Sequence, residues 1–263
     1  MNTLQLSRYF RRLVDLIWKI LKIGPDYFVL KNASKGISRF TLRLVDLKLC
    51  LTDATSTTGF DRHYVFHTAW AARILAKSMP EMHTDISSSL YFISNVSAFI
   101  PIRFLDYRPA NLGLSAVKEE AVDILNLPFA DDSISSLSCM HVVEHIGLGR
   151  YGEAVDSDGD IKAIQELKRV LSFQGQLLFV VPLAANPCIQ FNAHRIYSFE
   201  QVVSMFDGLA LDQFSLIPDK TEDGNLISWP TEELLARQTY ACGCFLFRKG
   251  ATNEKYTDYK ESQ

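Results

Sequence analysis

From Phe60 onward, short apolar runs alternate with amphipathic segments, and this alternation constrains the fold more than any other feature of the chain. The run at 176–181 is continuously apolar, which is typical of a parallel strand buried on both faces. The segments at 62–77 and 161–171 carry apolar residues at helical spacing. Strands separated by helices indicate βαβ units and a mainly parallel sheet.

The pattern predicts a Rossmann-like α/β fold with a seven-stranded, mainly parallel sheet flanked by helices. Strands are expected at 82–86, 102–106, 122–125, 134–140, 176–181, 211–217 and 239–247. Helices are expected at 62–77, 90–99, 161–171 and 199–206. This domain spans residues 59–249, between an N-terminal helical extension at 1–58 and a polar, frayed tail at 250–263.

Composition narrows the class of protein. The 263 residues are 48% hydrophobic and 22% charged, which is ordinary for a globular chain with one sizeable core. A net charge of −3 gives no basic field for nucleic acid, so no nucleic-acid partner is expected. The five cysteines match neither a zinc site nor a disulfide framework, which favours a reducing cytoplasm. Cys242 and Cys244 share one face of a predicted strand and are not a redox pair.

Residues 4–23 are expected to form a basic amphipathic helix that ends at Gly24-Pro25. The helix either packs on the core or a partner subunit, or lies on an anionic membrane surface. The expected location is therefore cytoplasmic, with peripheral contact to the inner face of the membrane as the alternative. No secretory signal is recognised, and no uncharged stretch reaches the ~20 residues needed to span a bilayer.

Two predicted strands end in acidic turns that suit a nucleoside ligand. At Asp85, with Ser87 and Ser89 in the following turn, backbone N–H groups and a helix N-terminus suit a carboxylate or phosphate. The alternative there is a simple helix cap. Asp106 follows about 20 residues later, at the spacing of a carboxylate that accepts hydrogen bonds from ribose hydroxyls. The alternative for Asp106 is an acid in a turn beside Arg108.

The next acidic position is Asp123, followed by Leu127-Pro128-Phe129. Its carboxylate could accept a hydrogen bond from an adenine amino group, with the apolar residues lining the ring. The alternative is a surface acid beside a buried turn.

The segment His141-Val142-Val143-Glu144-His145 follows a buried strand and should face the reaction cleft. His141 and His145 titrate near neutrality and are candidate general bases toward a hydroxyl. Four residues apart, they could also share a helix face and bind a metal, but no third ligand is identified, so no metal site is predicted. After the next strand, Arg195 suits a phosphate or carboxylate, or else a structural salt bridge.

The central segments resemble class I S-adenosylmethionine (SAM) methyltransferases. The resemblance runs in order through residues 127–133, 141–146, 166–171, Gly175 and Val181-Pro182. Residues 60–64, 85–90, 145–152 and 191–196 are similar to one methyltransferase-like family of unknown function, often encoded among surface-polysaccharide biosynthesis genes. That likeness spans about residues 59–218.

The resemblance implies that the 85–89 turn contacts the methionine part of SAM, that Asp106 holds the ribose, and that Asp123 with Leu125 holds the adenine. The chain departs from the superfamily in its first loop, where Ser87 and Ser89 replace glycines. A serine forced to positive φ costs ~1 kcal/mol or more.

The predicted function is SAM-dependent O-methylation of a sugar or glycan intermediate in surface-polysaccharide biosynthesis. His141 or His145 accepts the proton, Glu144 orients the histidine, and His194 or Arg195 holds the acceptor. The alternative is a catalytically inactive methyltransferase-like scaffold in a polysaccharide assembly complex. A nucleotide-binding dehydrogenase is a third hypothesis, which the acidic strand ends and the Leu-Pro-Phe segment favour less.

Overall fold

The computed structural model describes residues 3–34 and 40–263, with side chains from residue 17 onward. These residues form two compact units, Met1–Gly59 and Phe60–Gln263. The side chains of Leu6, Phe10 and Leu13 lie outside the described part, so the amphipathic face predicted for the first helix stays a prediction.

The first unit contains helix α1 (Thr3–Ala33) and a 3-10 turn at Leu44–Asp46. The predicted end of the helix at Gly24-Pro25 is wrong, since α1 continues for eight residues beyond Pro25. A proline withholds only its own N–H from the helical ladder, and the chain after it keeps helical geometry. Within the part of the chain that the structure describes, no helix combines the length and hydropathy needed to cross a bilayer.

The second unit is built on one eight-stranded sheet in the order β3-β2-β1-β4-β5-β10-β8-β9. The strands are β1 (His83–Ile86), β2 (Ile102–Asp106), β3 (Val117–Ala121), β4 (Ile134–Met140), β5 (Leu171–Leu183), β8 (Leu209–Ile217), β9 (Ile227–Ser228) and β10 (Ala241–Lys249). The first five strands in the order are parallel, and β10, β8 and β9 pair antiparallel. The predicted Rossmann-like α/β fold with a mainly parallel sheet is confirmed, with eight strands in place of seven because β9 adds a two-residue edge strand.

A separate antiparallel hairpin consists of β6 (Cys188–Gln190) and β7 (His194–Ile196).

The helices of this unit are α2 (Arg62–Ser78), α3 (Leu90–Val96), α4 (Gly159–Val170), α5 (Phe199–Met205), α6 (Glu232–Ala236) and α7 (Glu254–Glu261). Local sequence sets their ends: the Asp61 side chain caps α2 by accepting from Tyr64 N, and Met79 ends it in a left-handed conformation just before Pro80.

The third strand lies at Val117–Ala121 and not at 122–125 as the sequence predicted. This strand is at the sheet edge and pairs on one side with β2 alone, so it carries Lys118, Glu119 and Glu120 without an apolar run. Ile124, which lay in the predicted strand, is buried from the loop that follows β3.

The sheet separates two apolar layers, as expected for strands covered on both faces. One layer packs α4 and α5 against the sheet through Leu167, Phe206 and Phe245. The other packs α2 and α3 against it through Trp70 and Phe92. The apolar faces of these helices therefore fix α2 beside the sheet, and this positions its first turn near the ends of the central strands.

The C-terminal segment is helical and packed, so the prediction of a frayed tail after Gly250 is wrong. Tyr259 on α7 is buried, and its hydroxyl donates to Pro230 O at 2.8 Å. Asn253 Oδ1 accepts from Leu211 N at 2.8 Å and ties the start of α7 to β8. The polar composition of residues 250–263 suggested a frayed tail because it does not show that Tyr259 packs into the core.

Candidate functional site

The strand order reverses between β1 and β4, which are neighbours in the sheet although two strands intervene in sequence. In open α/β sheets, ligands bind beyond the carboxyl ends of the strands at such a switch point. The residues at the ends of β1, β2 and β4 are therefore the candidate site.

The turn after β1 adopts the backbone shape that a glycine usually provides. Ser87 has φ +51, and its N–H and Oγ both donate to Leu105 O, at 2.8 and 3.3 Å. Ser89 has φ −65 and begins α3 in an extended conformation. The strain predicted for a serine at positive φ thus applies to Ser87 and not to Ser89.

Asp85 lies beneath this turn and supports it from inside the protein. The carboxylate is fully buried, accepts from Ser88 N at 3.1 Å, and accepts a short hydrogen bond from Ser138 Oγ. Burial raises the pKa of Asp85 to about 6, and the charge of Asp106 adds a small contribution in the same direction. These contacts make Asp85 a support of the turn's backbone.

A buried chain of hydrogen bonds continues from Asp85 through Ser138 to His83. Ser138 Oγ gives its hydrogen to Asp85, so His83 Nε2, 2.8 Å from that oxygen, must carry a hydrogen. His83 Nδ1 then accepts from Ser136 Oγ at 2.8 Å. Burial lowers the pKa of His83 to about 3, which keeps the imidazole neutral. The chain fixes the spacing of β1 and β4 under the switch point.

Asp106 ends β2, next to β1, and is half-buried. Its Oδ1 accepts from Arg108 N at 2.7 Å. Among the described residues no donor is bonded to Oδ2, which leaves one carboxylate oxygen for a ligand. Ile86 and Leu105 are in register, so the Ser87 turn and Asp106 lie side by side.

Asp123 and Leu125 lie beyond the end of β3, and both are exposed. Asp123 Oδ1 accepts from Leu125 N at 2.9 Å, which shapes the turn. Val122 N donates to Asp106 O at 3.0 Å and holds this turn against the end of β2. The structure therefore brings three predicted positions, Ser87, Asp106 and Asp123, to adjoining strand ends.

His141 follows β4 directly and is paired with Glu144. The His141 Nδ1 lies 2.9 Å from Glu144 Oε1, and the two side chains are 7% and 1% exposed. Burial lowers the pKa of His141 to about 4 and raises that of Glu144 to about 7. Glu144 Oε2 is buried and has no hydrogen-bond partner among the residues that the structure describes.

His145 lies on the other side of Glu144 and is 14% exposed. His145 Nδ1 donates to Ala193 O at 2.7 Å, so Nε2 carries the lone pair; it lies 3.9 Å from Glu144 Oε1. Burial lowers the pKa of His145 from its usual value, while the Glu144 charge opposes that shift. The helix face predicted to carry both histidines does not form, because His141 has φ +58 and a 3-10 turn of three residues follows.

The two predicted acceptor-binding residues on β7 differ in their surroundings. The His194 ring centroid lies 6.2 Å from that of His145 and 5.3 Å from that of Tyr240. Within the described part of the chain, His194 Nε2 has no hydrogen-bond partner. Arg195 is buried and donates to Ile146 O at 2.6 Å and to Ser157 O at 3.2 Å, beside Asp160. The Arg195 guanidinium thus holds the 146–157 loop, and His194 faces the histidine cluster.

Aromatic and cationic side chains connect the β2 end to the β4 end. Arg108, whose N–H binds Asp106, has its guanidinium 5.6 Å from the Tyr151 ring. Tyr151 in turn lies edge-on to His145, with ring centroids 6.0 Å apart. The Arg108 and Tyr151 side chains therefore connect the end of β2 to His145.

Sequence reasoning missed a group of residues that close the β4 side of the site. His63, Tyr64 and His67 on the first turns of α2 pack around His141, with ring centroids 5.8, 5.4 and 5.0 Å away. From β10, Cys242 Sγ lies 3.5 Å from His141 Nε2, and Tyr240 stacks on His63. Residues 60–64, which include His63 and Tyr64, belong to the segments that resemble the methyltransferase-like family. That resemblance was the one indication in the sequence that the start of α2 contributes to the site.

An apolar groove of about 790 Å³ runs between α2 and α3 beside this cluster. Tyr64 and Ala69 line it from α2, Phe92 lines it from α3, and Ser89 lies at the start of α3. Tyr64 thus borders both the groove and the His141 ring. The groove extends the apolar surface of the site away from the polar strand ends.

Comparison with known proteins supports the fold. A sequence family described as "Caenorhabditis protein of unknown function, DUF268" matches residues 118–230, and no curated protein is significantly similar in sequence.

Three solved structures with this architecture illustrate the range of proteins that share it. The N-methyltransferase NodS from Bradyrhizobium japonicum WM9, in complex with S-adenosyl-L-homocysteine, is 15% identical with a TM-score of 0.50, over 72% of this chain and 88% of that chain. The 1,6-didemethyltoxoflavin-N1-methyltransferase of Burkholderia thailandensis, with bound 1,6-didemethyltoxoflavin and S-adenosylhomocysteine, is 9% identical with a TM-score of 0.51, over 70% of this chain and 79% of that chain. The [4+2]-cyclase SpnF is 16% identical with a TM-score of 0.50, over 70% and 82%. At these identities the likeness shows the fold alone, and that fold is the one shared by class I SAM-dependent methyltransferases.

Proposed function

We propose that this chain binds SAM across the ends of β1, β2 and β3 and transfers its methyl group to a hydroxyl held at the histidine cluster. The observation that carries this proposal is the link from Asp106 through Arg108 and Tyr151 to His145. This link connects the carboxylate at the end of β2 to the imidazole that follows β4, at the carboxyl ends of strands beside the switch point, where open α/β sheets bind ligands.

The residues present fit an adenosyl cofactor. Ser87 already has the positive φ that the turn requires, and its hydroxyl is bound to Leu105 O. Asp106 Oδ2 is available for ribose hydroxyls, and Asp123 with the exposed Leu125 borders the place where the adenine would lie. When bound, SAM supplies an electrophilic methyl group.

The protein's contribution to the reaction is positioning and proton transfer. His145 accepts the hydroxyl proton at Nε2, which is fixed as the lone-pair nitrogen by the Nδ1–H bond to Ala193 O. Burial keeps that imidazole neutral, and Glu144 Oε1 at 3.9 Å stabilises the imidazolium that forms. His141 holds Glu144 through the 2.9 Å contact, and His194 orients the acceptor.

The acceptor class follows from the site and from the family resemblance. A neutral imidazole base suits a hydroxyl, and the apolar groove lined by Tyr64 suits the ring face of a sugar. A sugar or glycan intermediate of surface-polysaccharide biosynthesis is the acceptor we propose, with the cytoplasm as its place of action. The domain limits proposed for this activity are 59–249.

Calorimetry with S-adenosylhomocysteine tests the first half of the proposal. We expect one binding site in the wild-type protein and at least ~tenfold weaker binding in Asp106→Ala. Transfer of a labelled methyl group from SAM to a panel of sugars, nucleotide sugars and non-sugar hydroxyl compounds tests the second half. Absence of S-adenosylhomocysteine binding would favour the alternative of an inactive scaffold, whereas methyl transfer to any acceptor would exclude it.

A further inference from the structure

Three potential metal ligands from distant parts of the chain converge beside the proposed acceptor site. His63 lies on α2, His141 follows β4, and Cys242 lies on β10. One ligand atom from each can be chosen so that all three lie within 4.8 Å of one another. The His63 and His141 rings are nearly parallel, at 6°, with centroids 5.8 Å apart.

The lone pair of His141 is aimed at this cluster by a buried carboxylate. Glu144 Oε1 lies 2.9 Å from His141 Nδ1, so that nitrogen carries the hydrogen and Nε2 carries the lone pair. His141 Nε2 lies 3.5 Å from Cys242 Sγ. Metal-ligating histidines regularly donate their other N–H to a carboxylate, which fixes the tautomer and orients the ring.

A second observation points to a missing ligand at the same place. His67 is fully buried, and its Nδ1 donates to His63 O at 2.7 Å. Its Nε2 therefore carries a lone pair, and no described residue forms a hydrogen bond with that nitrogen. Buried polar nitrogens are nearly always paired, so an orphan whose ring lies 5.0 Å from His141 needs an explanation.

The donor set selects the kind of metal. Two imidazoles and one thiolate suit a borderline or soft transition-metal ion and do not suit Mg²⁺ or Ca²⁺, which take oxygen ligands. Bonds of about 2.0–2.1 Å to nitrogen and about 2.3 Å to sulfur would place tetrahedral ligand atoms roughly 3.3–3.8 Å apart. The observed limit of 4.8 Å is close enough for side-chain rotation to complete the site.

We infer that His63, His141 and Cys242 bind a Zn²⁺-type ion, with Glu144 as the outer carboxylate and a fourth position left for His67, water or the acceptor. The Cys242 thiol loses its proton to solvent as the metal–sulfur bond forms, so binding releases one proton. The inference concerns metal binding and does not rest on SAM binding or methyl transfer.

The test uses the full chain, stripped of metal with a chelator and titrated with Zn²⁺ and with Co²⁺. We expect one equivalent of Zn²⁺ by calorimetry and a near-ultraviolet thiolate-to-Co²⁺ charge-transfer band. Cys242→Ser should remove that band and weaken Zn²⁺ binding at least ~hundredfold, more than the ~10–100-fold expected for Glu144→Gln as an outer-shell change. Cys188→Ser alters an exposed cysteine on β6 and should leave both readouts unchanged.

His63→Ala is a second ligand variant on a half-buried helix position, and it keeps the test informative if Cys242→Ser does not fold. It should weaken Zn²⁺ binding at least ~tenfold while leaving S-adenosylhomocysteine affinity unchanged. Failure of the wild-type protein to bind stoichiometric Zn²⁺, or retention of the Co²⁺ band in Cys242→Ser, would overturn the inference. Calorimetry with S-adenosylhomocysteine on the same samples reports separately on the proposed function.

Discussion

The candidate site has two sides, at the ends of β1–β3 and at the end of β4, and they are formed by different kinds of residues. On the β1–β3 side, Asp106 is the last residue of β2 and Asp123 lies two residues beyond β3. Both are partly or wholly exposed, and each accepts a hydrogen bond from the backbone N–H two residues later. On the β4 side, His63, His141 and Cys242 converge from positions up to 179 residues apart and are half or fully buried. The first side offers free acceptors to a ligand, and the second is a preorganised group of neutral imidazoles. In the proposed function, this division separates the binding of the cofactor from the transfer of the acceptor's proton.

The largest expected effect is on the β4 side. His145→Gln should lower the rate of methyl transfer at least ~hundredfold, since positioned general bases typically contribute 10²–10⁴-fold. The affinity for S-adenosylhomocysteine should stay within ~twofold of wild type. Steady-state kinetics and calorimetry on the same preparation make the measurement. His194→Gln serves as the matched comparison and should raise KM for the acceptor more than it lowers kcat. If His145→Gln also lowered the affinity for S-adenosylhomocysteine, His145 would contribute to cofactor binding, and the two sides would not have separate roles.

Acidification should unfold the protein through its buried histidines. Burial lowers the pKa of His67 and His83 to about 3 and that of His63 and His141 to about 4, all below the unfolded value of 6.5. The unfolded chain then binds more protons than the folded one below pH 6.5, so the free energy of unfolding falls as the pH falls. Each such histidine should remove ~2 kcal/mol between pH 6.5 and 5.

Urea unfolding at pH 6.5 and 5 with chelator present measures that dependence, and His67→Gln should flatten it. Asp85 has the opposite effect on the pH dependence of stability. Its pKa is raised to about 6 in the folded protein, so as the pH falls the folded protein binds this proton before the unfolded chain does. Asp85→Asn should therefore steepen the fall in stability on acidification. A flat profile in the wild-type protein would mean that water reaches the histidines.

The third expected effect lies on the cofactor side. Asp106→Ala should weaken S-adenosylhomocysteine binding at least ~tenfold, or ~1.4 kcal/mol, through loss of charge-assisted hydrogen bonds to the ribose. Asp207→Ala, an exposed acid after α5, is the matched control and should bind as wild type does. Equal affinities in the two variants would remove Asp106 from the cofactor site.

The smallest effect tests the first loop. Ser87→Gly should raise the free energy of unfolding by ~1 kcal/mol, because Ser87 has φ +51 and glycine adopts that conformation without strain. Ser89→Gly should not stabilise the protein, since Ser89 has φ −65. Thermal and urea unfolding of both variants make the comparison. Equal responses at the two positions would show that the backbone conformation at Ser87 carries no cost.

The features that the sequence determined by itself are mostly strands, helices and strand ends that lie within one contiguous segment of the chain. The strands at Ile102–Asp106 and Ile134–Met140 were predicted with their observed bounds, because each carries several apolar residues in a short segment bordered by turn residues. The polar edge strand at Val117–Ala121 and the helix Glu254–Glu261 were missed, because edge pairing and one buried tyrosine decide them. The acids at the ends of β2 and β3 could be proposed from spacing alone, since a parallel sheet places successive strand ends at one edge.

Tertiary structure decided the rest. Nothing near His141 in sequence indicates that His63 and Cys242 lie beside it, because crossovers that bury apolar surface bring α2 and β10 to the end of β4. The same packing turned Arg195 inward onto the 146–157 loop and left His194 at the cluster. Local patterns set where each strand ends, whereas long-range burial sets which side chains meet there.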